Sequence, residues 1–311
     1  MSKIIFVPDV HLQEQSPRSR KDSYPTTIIE KLDSIVEIAN NRNAIVIFLG
    51  DLFNAVNMPM IYFYRVVDTF KKFDKVPYII AGNHDYPRTN PEMLPRTPLG
   101  LLNNIGLIQF LDELELDNVY IKGFHYWQKE VENKHKDKKS ICVSHTFFED
   151  NFAQEHNLHG VDCVKLGYNY YVLGHLHKPM EDTKVGNSII YRIGSLSRGT
   201  ASQDQLDRDN VYILEYDTLL DTFTKVPIPC LPAKDVFKDS VFLRKEEKLN
   251  MDKILDNLVF TSNDSIYDVL DKSEQPKEIK DIVEEYLQAA GIFRKWLNDG
   301  KILKILIKYL I

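Results

Sequence analysis

The sequence predicts an α/β fold in which two stacked, mixed β-sheets are flanked by helices and followed by a small α-rich C-terminal cap. Three observations support this prediction. The first 85 residues alternate between short apolar strands and amphipathic helices, later apolar strands are joined by short turns, and the composition becomes charge-dense after about residue 230. We therefore divide the chain into domain 1–230 and a C-terminal region, 231–311.

Length and composition fit one large domain with an appendage. The chain has 311 residues and a formal net charge of −6, which gives no general attraction for nucleic acid. Its three cysteines, Cys142, Cys163 and Cys230, form no pairing framework, so we expect a reducing compartment. The N-terminal apolar run is too short for a signal peptide and no run approaches a membrane span, so we expect a cytoplasmic protein without a membrane partner.

Each predicted strand in the first part of the chain ends in polar side chains. The strands are 3–7, 44–49 and 78–81, with helices 28–41 and 59–73 between them. The polar residues that follow are Asp9 and His11, then Asp51, then Asn83, His84 and Asp85. Because the carboxyl ends of parallel strands share one edge of a sheet, we expect these residues to converge. The alternative for each motif alone is an ordinary polar turn.

The second part of the chain repeats the pattern. Strand 139–144 leads into His145, and strand 170–173 leads through Gly174 to His175 and His177. Further strands are predicted at 119–124, 188–193, 211–217 and up to residue 227, and the last three are expected in the second sheet. Segment 86–98 is rich in proline and predicts an irregular loop over the site. The remaining histidines belong to no motif, and we interpret them as structural or solvated: His125, His135, His156 and His159.

The polar strand ends form a donor set typical of a dinuclear metal site. Carboxylate, imidazole and amide groups together suit borderline divalent metals. The donors are too many for one ion, and two ions about 3.5–4 Å apart that share a bridging carboxylate would use them all. The set contains Asp9, His11, Asp51, Asn83, His84, His145, His175 and His177.

The ordered motifs resemble the signature of the calcineurin-like metallophosphoesterases. They are Asp9-x-His11, Gly50-Asp51, Gly82-Asn83-His84-Asp85, Ser144-His145 and Gly174-His175-x-His177, within about residues 3–230. Segments 50–53, 170–179 and 194–195 are most similar to the SbcD-type DNA double-strand-break repair nucleases. That branch often has a histidine three residues after the Gly-Asp aspartate, where this chain has Asn54. The resemblance implies a four-layer α/β/β/α sandwich.

The resemblance also implies a role for each site residue. Asp9, His11 and His177 would hold one metal ion. Asn83, His145 and His175 would hold the second ion, and Asp51 would bridge the two. His84 would protonate the leaving oxygen, with Asp85 orienting it. The implied cofactors are two Mn²⁺ ions, and the implied partners are DNA, an SbcC-like coiled-coil ATPase bound through the C-terminal region, and a second copy of the chain.

Three functions remain open from the sequence. The first is a DNA exonuclease, with endonuclease activity, that acts in DNA repair, recombination or replication. The second is a hydrolase of small phosphodiesters, nucleotides or phosphoproteins, and the third is a scaffold without catalysis. Basic residues near the motifs would supply a phosphate track for DNA, although each alone is more often a solvated charge: Arg18, Arg20, Lys21, Arg88, Arg96, Lys178 and Arg198. The amphipathic C-terminal segment 294–311 is either a helix docked on its own domain or one offered to a partner.

Overall fold

A computed structural model describes residues 2–87, 90–148, 157–199, 208 and 210–239. The chain up to Lys238 forms one compact unit. The predicted α-rich C-terminal cap, including segment 294–311, lies almost entirely outside the described residues. The division of the chain at residue 230 therefore stays a prediction. Within the described ranges, no helix is both long and apolar enough to cross a membrane.

The first sheet contains the three N-terminal strands in parallel order. In spatial order its strands are β14 (Thr222–Pro229), β13 (Asn210–Asp217), β1 (Lys3–Val7), β2 (Ile45–Phe48), β3 (Tyr78–Ile79) and β4 (Gln109–Phe110). Strand β2 lies parallel between β1 and β3, with Phe6 opposite Ile47 and Phe48 opposite Ile79. The carboxyl ends of β1, β2 and β3 therefore meet at one edge, as predicted.

The second sheet is also mixed. In spatial order its strands are β11 (Thr183–Val185), β12 (Ser188–Tyr191), β10 (Tyr170–Gly174), β7 (Lys139–His145), β6 (Val119–Phe124) and β5 (Glu113–Leu116). Strands β7 and β10 are parallel, and Gly174 lies opposite His145. A short separate ladder joins β8 (Phe147–Phe148) to β9 (Asn157–Leu158). Because β7 and β10 are parallel neighbours, the histidine motifs at their carboxyl ends lie side by side.

One expectation about the sheets is wrong. The strands predicted at 211–217 and up to residue 227 correspond to β13 and β14, which belong to the first sheet. Strand β13 pairs antiparallel with β1, with Ile4 opposite Tyr216. Its partner is about 210 residues away in the chain, so the local apolar pattern carries no information about which sheet it joins.

The buried faces of the two sheets define the layers of the fold. Side chains such as Phe6 and Ile47 from the first sheet pack against Val143 and Val172 from the second. The outer face of the first sheet is covered by α1 (Tyr24–Asn41) and α2 (Met60–Phe70), and the second sheet packs against α4 (Gly160–Leu166). This arrangement confirms the predicted two mixed sheets flanked by helices.

Three local details differ from the sequence prediction. Helix α1 begins at Tyr24 rather than at residue 28, because Pro25 is tolerated in a first helical turn that needs no N–H donor. Segment 86–98 is not wholly irregular, since its described part contains the 3-10 helix Pro91–Arg96. Helix α3 (Pro98–Asn104) follows it, with the Thr97 hydroxyl accepting a hydrogen bond from the Gly100 N–H.

Candidate metal centre

The strand ends of both sheets meet at one site. Asp9 and His11 follow β1, Asp51 follows β2, and Asn83 and His84 follow β3. His145 is the last residue of β7, while His175 and His177 follow β10. The metal-binding groups of seven of these residues fall into two donor groups that share Asp51.

The first donor group contains Asp9, His11, Asp51 and His177. Nε2 of His11 lies 2.8 Å from Nε2 of His177. Nε2 of His177 is 3.5 Å from Oδ2 of Asp9, and Nε2 of His11 is 3.7 Å from Oδ2 of Asp51. Four donor atoms thus face one another at distances that a shared cation would bridge.

The second donor group contains Asp51, His145 and His175, with Asn83 beside them. Nε2 of His145 lies 3.3 Å from Oδ2 of Asp51, 3.2 Å from Nδ1 of His175 and 3.3 Å from Oδ1 of Asn83. The same Asp51 oxygen therefore faces both groups. Its other oxygen, Oδ1, accepts a hydrogen bond of 2.8 Å from the His84 backbone N–H. Asp51 is thus oriented to present a single oxygen between the groups.

Burial divides the site into a floor and a rim. The floor consists of five buried residues: Asp9, His11, Asp51, Asn83 and His145. The rim consists of the half-buried His84, His175 and His177. The side chain of His177 is 39% exposed, whereas that of Asp9 is fully buried. Solvent and substrate therefore reach the site across the rim.

Strained backbone and close packing hold the donors in place. His11, Asp51 and His175 have positive φ angles of 53°, 47° and 84°, a region that residues other than glycine rarely adopt. A Cβ atom on Gly174 would lie 2.2 Å from the Leu49 carbonyl oxygen, so only glycine permits this approach of β10 to the end of β2. The Asp51 carbonyl oxygen in turn accepts hydrogen bonds from the backbone N–H groups of Val10 and His11.

The tautomer of His145 is fixed by its surroundings. Its Nδ1 lies 2.7 Å from the Leu49 carbonyl oxygen, which can only accept, so Nδ1 carries the proton and donates it. Nε2 is then left to face the donor group. This outer hydrogen bond is the arrangement by which proteins orient metal-binding histidines.

The electrostatics of the floor favour positive charge. Burial raises the pKa of Asp9 above its ordinary value and lowers the pKa of His11 to about 3, so that ring is neutral. Burial also acts to lower the pKa of His145, but the carboxylates of Asp51 and Asp9 outweigh it and raise that pKa to about 9. Burial lowers the pKa of His175 to about 3. The carboxylates of Asp51 and Asp9 thus favour a positive charge on His145.

The residues present fit divalent cations. The donor atoms are imidazole nitrogens, carboxylate oxygens and one amide oxygen, without a thiolate, as borderline divalent metals require. Nε2 of His11 lies 2.8 Å from Nε2 of His177, and Nε2 of His145 lies 3.2 Å from Nδ1 of His175. Bound cations would stabilise such close contacts between metal-binding atoms. Binding would also release the proton from His145, so affinity should increase with pH.

The hydrogen bonds of His84 and Asp85 differ from those that the resemblance implies. Nδ1 of His84 lies 2.9 Å from the Asn54 carbonyl oxygen, so this carbonyl orients the ring. Asp85 instead accepts hydrogen bonds from the backbone N–H groups of Phe53 and Gly82, at 3.0 and 2.9 Å. It ties the loop after β2 to the loop after β3. The expectation that Asp85 orients His84 directly is therefore corrected to a support of the two loops.

Two members of the expected phosphate track are buried. Arg20 donates to Asp22 and to the Arg198 carbonyl oxygen, and Arg198 donates to the Leu231 carbonyl oxygen. Their guanidinium groups lie 5.6 and 5.5 Å from the Phe237 ring. Because both are committed to internal contacts, they are structural, and the prediction is wrong for these two. Arg88 lies outside the described residues.

Several residues beside the site gave no signal in the sequence. Phe147 packs its ring 4.0 Å from that of His175, and Tyr126 lies 5.4 Å from the same ring. Arg208 donates hydrogen bonds to the carbonyl oxygens of His177 and Ser195. Only Phe147 could have been suspected, because it follows His145 by two residues and alternation places it on the same face.

Comparison with known proteins identifies relatives along most of the chain. The protein called DNA double-strand break repair protein Mre11 in Sulfolobus acidocaldarius is 29% identical over 214 residues, which is 62% of this chain and 54% of that protein. The protein of the same name in Methanocaldococcus jannaschii is 24% identical over 329 residues, covering 89% of this chain and 86% of that protein. The chain thus matches only about half the length of the first of these relatives.

Among solved structures, the protein TT1561 of Thermus thermophilus aligns with a TM-score of 0.45 and 11% identity, covering 72% of this chain and 98% of that one. The family model for calcineurin-like phosphoesterases matches residues 2–179, which is more than half of the chain. That range includes every residue of the floor and the rim. The chain therefore belongs to the calcineurin-like phosphoesterase family.

Proposed function

We propose that this chain is a divalent-metal-dependent DNA nuclease, an exonuclease with or without endonuclease activity, that serves DNA repair, recombination or replication. The observation that carries the proposal is the pair of donor groups that share one oxygen of Asp51. Membership of the phosphoesterase family and the similarity to two proteins named for DNA double-strand break repair support DNA as the substrate.

The floor and rim provide the metal ligands in this proposal. Asp9, His11 and His177 hold the first ion. Asn83, His145 and His175 hold the second ion, Asp51 bridges both, and we propose Mn²⁺ in each position. When bound, such a pair of ions activates water and neutralises the charge that develops on a phosphoryl group.

His84 acts as the proton donor to the leaving oxygen. The Asn54 carbonyl oxygen can only accept, so Nδ1 of His84 keeps its proton, and the ring in its imidazolium form would donate the proton on Nε2. The His84 ring lies 5.0 Å from that of His11. It is therefore beside the donor groups, on the exposed rim, where it would contact substrate. Imidazole is suited to this role because its ordinary pKa lies near neutral pH.

The test is a substrate panel with the full chain, stripped of metal and reloaded with Mn²⁺. Linear duplex, single-stranded and circular DNA are compared with methyl p-nitrophenyl phosphate, a phosphodiester without a base. We expect hydrolysis of DNA, with an affinity that weakens steeply as salt increases. His135→Ala serves as a control, because His135 is half-buried, stacks on Tyr120 and lies outside both donor groups.

Two outcomes would contradict the nuclease. Hydrolysis of the small ester without cleavage of any DNA would favour the alternative substrates, which are small phosphodiesters, nucleotides or phosphoproteins. Full occupancy by metal without hydrolysis of any substrate would favour a scaffold. Repeating the panel with Mg²⁺ and Zn²⁺ tests the choice of Mn²⁺.

The C-terminal region, 231–311, binds an SbcC-like coiled-coil ATPase in this proposal. Its support is the motif resemblance together with the apolar face that the sequence pattern predicts for segment 294–311, which includes Leu303 and Leu306. Leu306→Glu in the full chain should weaken co-purification with such an ATPase and leave hydrolysis of the small ester intact. Unchanged co-purification would place the contact elsewhere.

A second copy of the chain is the other proposed protein partner. Helix α2 exposes three large apolar side chains, Met60, Ile61 and Tyr64, at 58%, 75% and 62% of their surface. Such a cluster on one helix favours a protein contact. Light scattering after size exclusion should give a dimer that Ile61→Glu converts to a monomer. A monomeric wild type would refute this assignment.

A further inference from the structure

A polar cavity of about 430 Å³ lies beside the second donor group. Its walls come from the loop after β6, the end of β7, strand β9 and helix α4. Its volume falls within the roughly 300–1,000 Å³ typical of small-molecule sites. Ser144 and Thr146 line it and flank His145 along the chain, so strand alternation directs them away from the metal side of His145. The cavity is therefore next to the metal centre, and none of its lining residues belongs to the two donor groups.

Tyr126 is the wall that the cavity shares with the metal centre. It lines the cavity, and its ring centroid lies 5.4 Å from that of His175 and 6.1 Å from that of His145. The residue is half-buried. A group stacked on Tyr126 inside the cavity would thus be one side chain away from a group held at the second donor set.

The lining decides which chemistry the cavity accepts. The Ser144 hydroxyl, which donates to Glu130, lines the cavity together with the Thr146 hydroxyl and the Asn157 amide, so the lining is polar and excludes a purely apolar ligand. The carboxylates of Glu130 and Asp162 offset the nearby ammonium groups of the lining, so a phosphate gains little there. An aromatic face combined with uncharged donors and acceptors is the chemistry that proteins use for nucleobases.

We propose that this cavity binds one nucleobase of the substrate strand, stacked on Tyr126, while the phosphate next to that base lies at the metal centre. The inference rests on the proposed nuclease function and adds a specificity site to it. It assigns the phosphate and the base to separate places, because the charges of the lining offset one another and attract no phosphate, whereas the Tyr126 ring can stack with a base. Phosphodiesters with a base beside the reacting phosphate are then preferred to those without one.

The test compares two esters with the same leaving group. Thymidine 5′-p-nitrophenyl phosphate carries a base, and methyl p-nitrophenyl phosphate does not. The ratio of their kcat/KM values should fall about tenfold in Tyr126→Ala, mainly through KM, because stacking on an aromatic side chain is lost. Tyr126→Phe keeps the aromatic face and should keep the ratio, and Tyr212→Ala, at a half-buried tyrosine of β13, is the matched control.

A second measurement needs neither metal nor turnover. In EDTA, saturation-transfer NMR should detect thymidine on the wild type and lose the signal in Tyr126→Ala and in Asn157→Ala. Equal loss of both esters in Tyr126→Ala, with no thymidine signal on the wild type, would overturn the base site and leave Tyr126 as a support for His175. A wild type that cleaves no DNA but binds thymidine would refute the nuclease alone.

Discussion

The floor and the rim of the metal centre differ in how they are held. Floor residues are buried and fixed by backbone groups: His145 by the Leu49 carbonyl oxygen, and Asp51 by the His84 backbone N–H. Rim residues are half-buried, and the ring of His84 is oriented by one carbonyl oxygen of a neighbouring loop. The floor is thus shielded from solvent, whereas the rim faces it.

Within the rim, His84 differs from His175 and His177 because it belongs to neither donor group. Burying a carboxylate costs free energy unless a positive charge compensates it, so bound cations would stabilise the floor. A proton donor must instead reach the substrate, which requires exposure. We therefore expect floor substitutions to remove metal and rim substitutions at His84 to remove activity alone.

Asp51→Ala should have the largest effect, because one oxygen of Asp51 serves both donor groups. We expect phosphodiester hydrolysis to fall to background. This loss is greater than the roughly 10⁴-fold decrease in rate that removal of a general acid causes at most. Metal content measured by mass spectrometry should fall from two ions to at most one. Two tightly bound ions in Asp51→Ala would show that the floor does not depend on the shared carboxylate.

His84→Ala should come second and should leave the metal content intact. Loss of a general acid lowers turnover by about 10²–10⁴-fold. The loss should be greater for DNA, with its poor alkoxide leaving group, than for a p-nitrophenyl ester, which needs little protonation. His135→Ala should change neither rate. If His84→Ala slows both substrates equally, or loses metal as Asp51→Ala does, the division between floor and rim fails.

Gly174→Ala tests whether the floor depends on close packing. The new Cβ would meet the Leu49 carbonyl oxygen at 2.2 Å and Nδ1 of His145 at 2.8 Å, and backbone cannot easily yield. Overpacking of this kind typically costs about 1–3 kcal/mol of unfolding free energy. Metal affinity should fall as well, since His145 is displaced. Gly199→Ala is the control, because no atom of the described residues lies within 4 Å of the position that its new Cβ would take. Equal unfolding midpoints for the two variants would refute the packing argument.

Much of the site could be predicted because its information is local. A strand that ends in a polar motif places its side chains at the sheet edge whatever the rest of the chain does, and this holds for Asp9, Asp51 and His145. The parallel order of β1, β2 and β3 follows from the helices between them. The donors could therefore be grouped before the structure was known, although their binding of metal remains a proposal.

The remainder depends on contacts that no local pattern contains. Strand β13 joined the first sheet through pairing with β1, far away in the chain. Arg20 looked like a surface charge but is buried against Asp22 and Phe237. The support of His84 by the Asn54 carbonyl oxygen involves a backbone atom, which residue identity does not reveal.

Replacement of His125 should have the smallest effect, because its side chain supports the floor only by a hydrogen bond to the backbone N–H of Ala81. Its Nδ1 accepts a hydrogen bond of 2.8 Å from the Ala81 N–H, just before Gly82 and Asn83. Burial lowers the pKa of His125 to about 4, below its unfolded value of 6.5. The unfolded chain therefore binds more protons between these values, so the stabilisation is complete above pH 6.5 and is lost as pH falls through about 4. In EDTA, the difference in unfolding free energy between wild type and His125→Leu should shrink by about 2 kcal/mol from pH 7 to pH 5, as urea denaturation would measure. A difference that stays constant over this range would mean that the ring is charged in the folded protein and does not accept from Ala81.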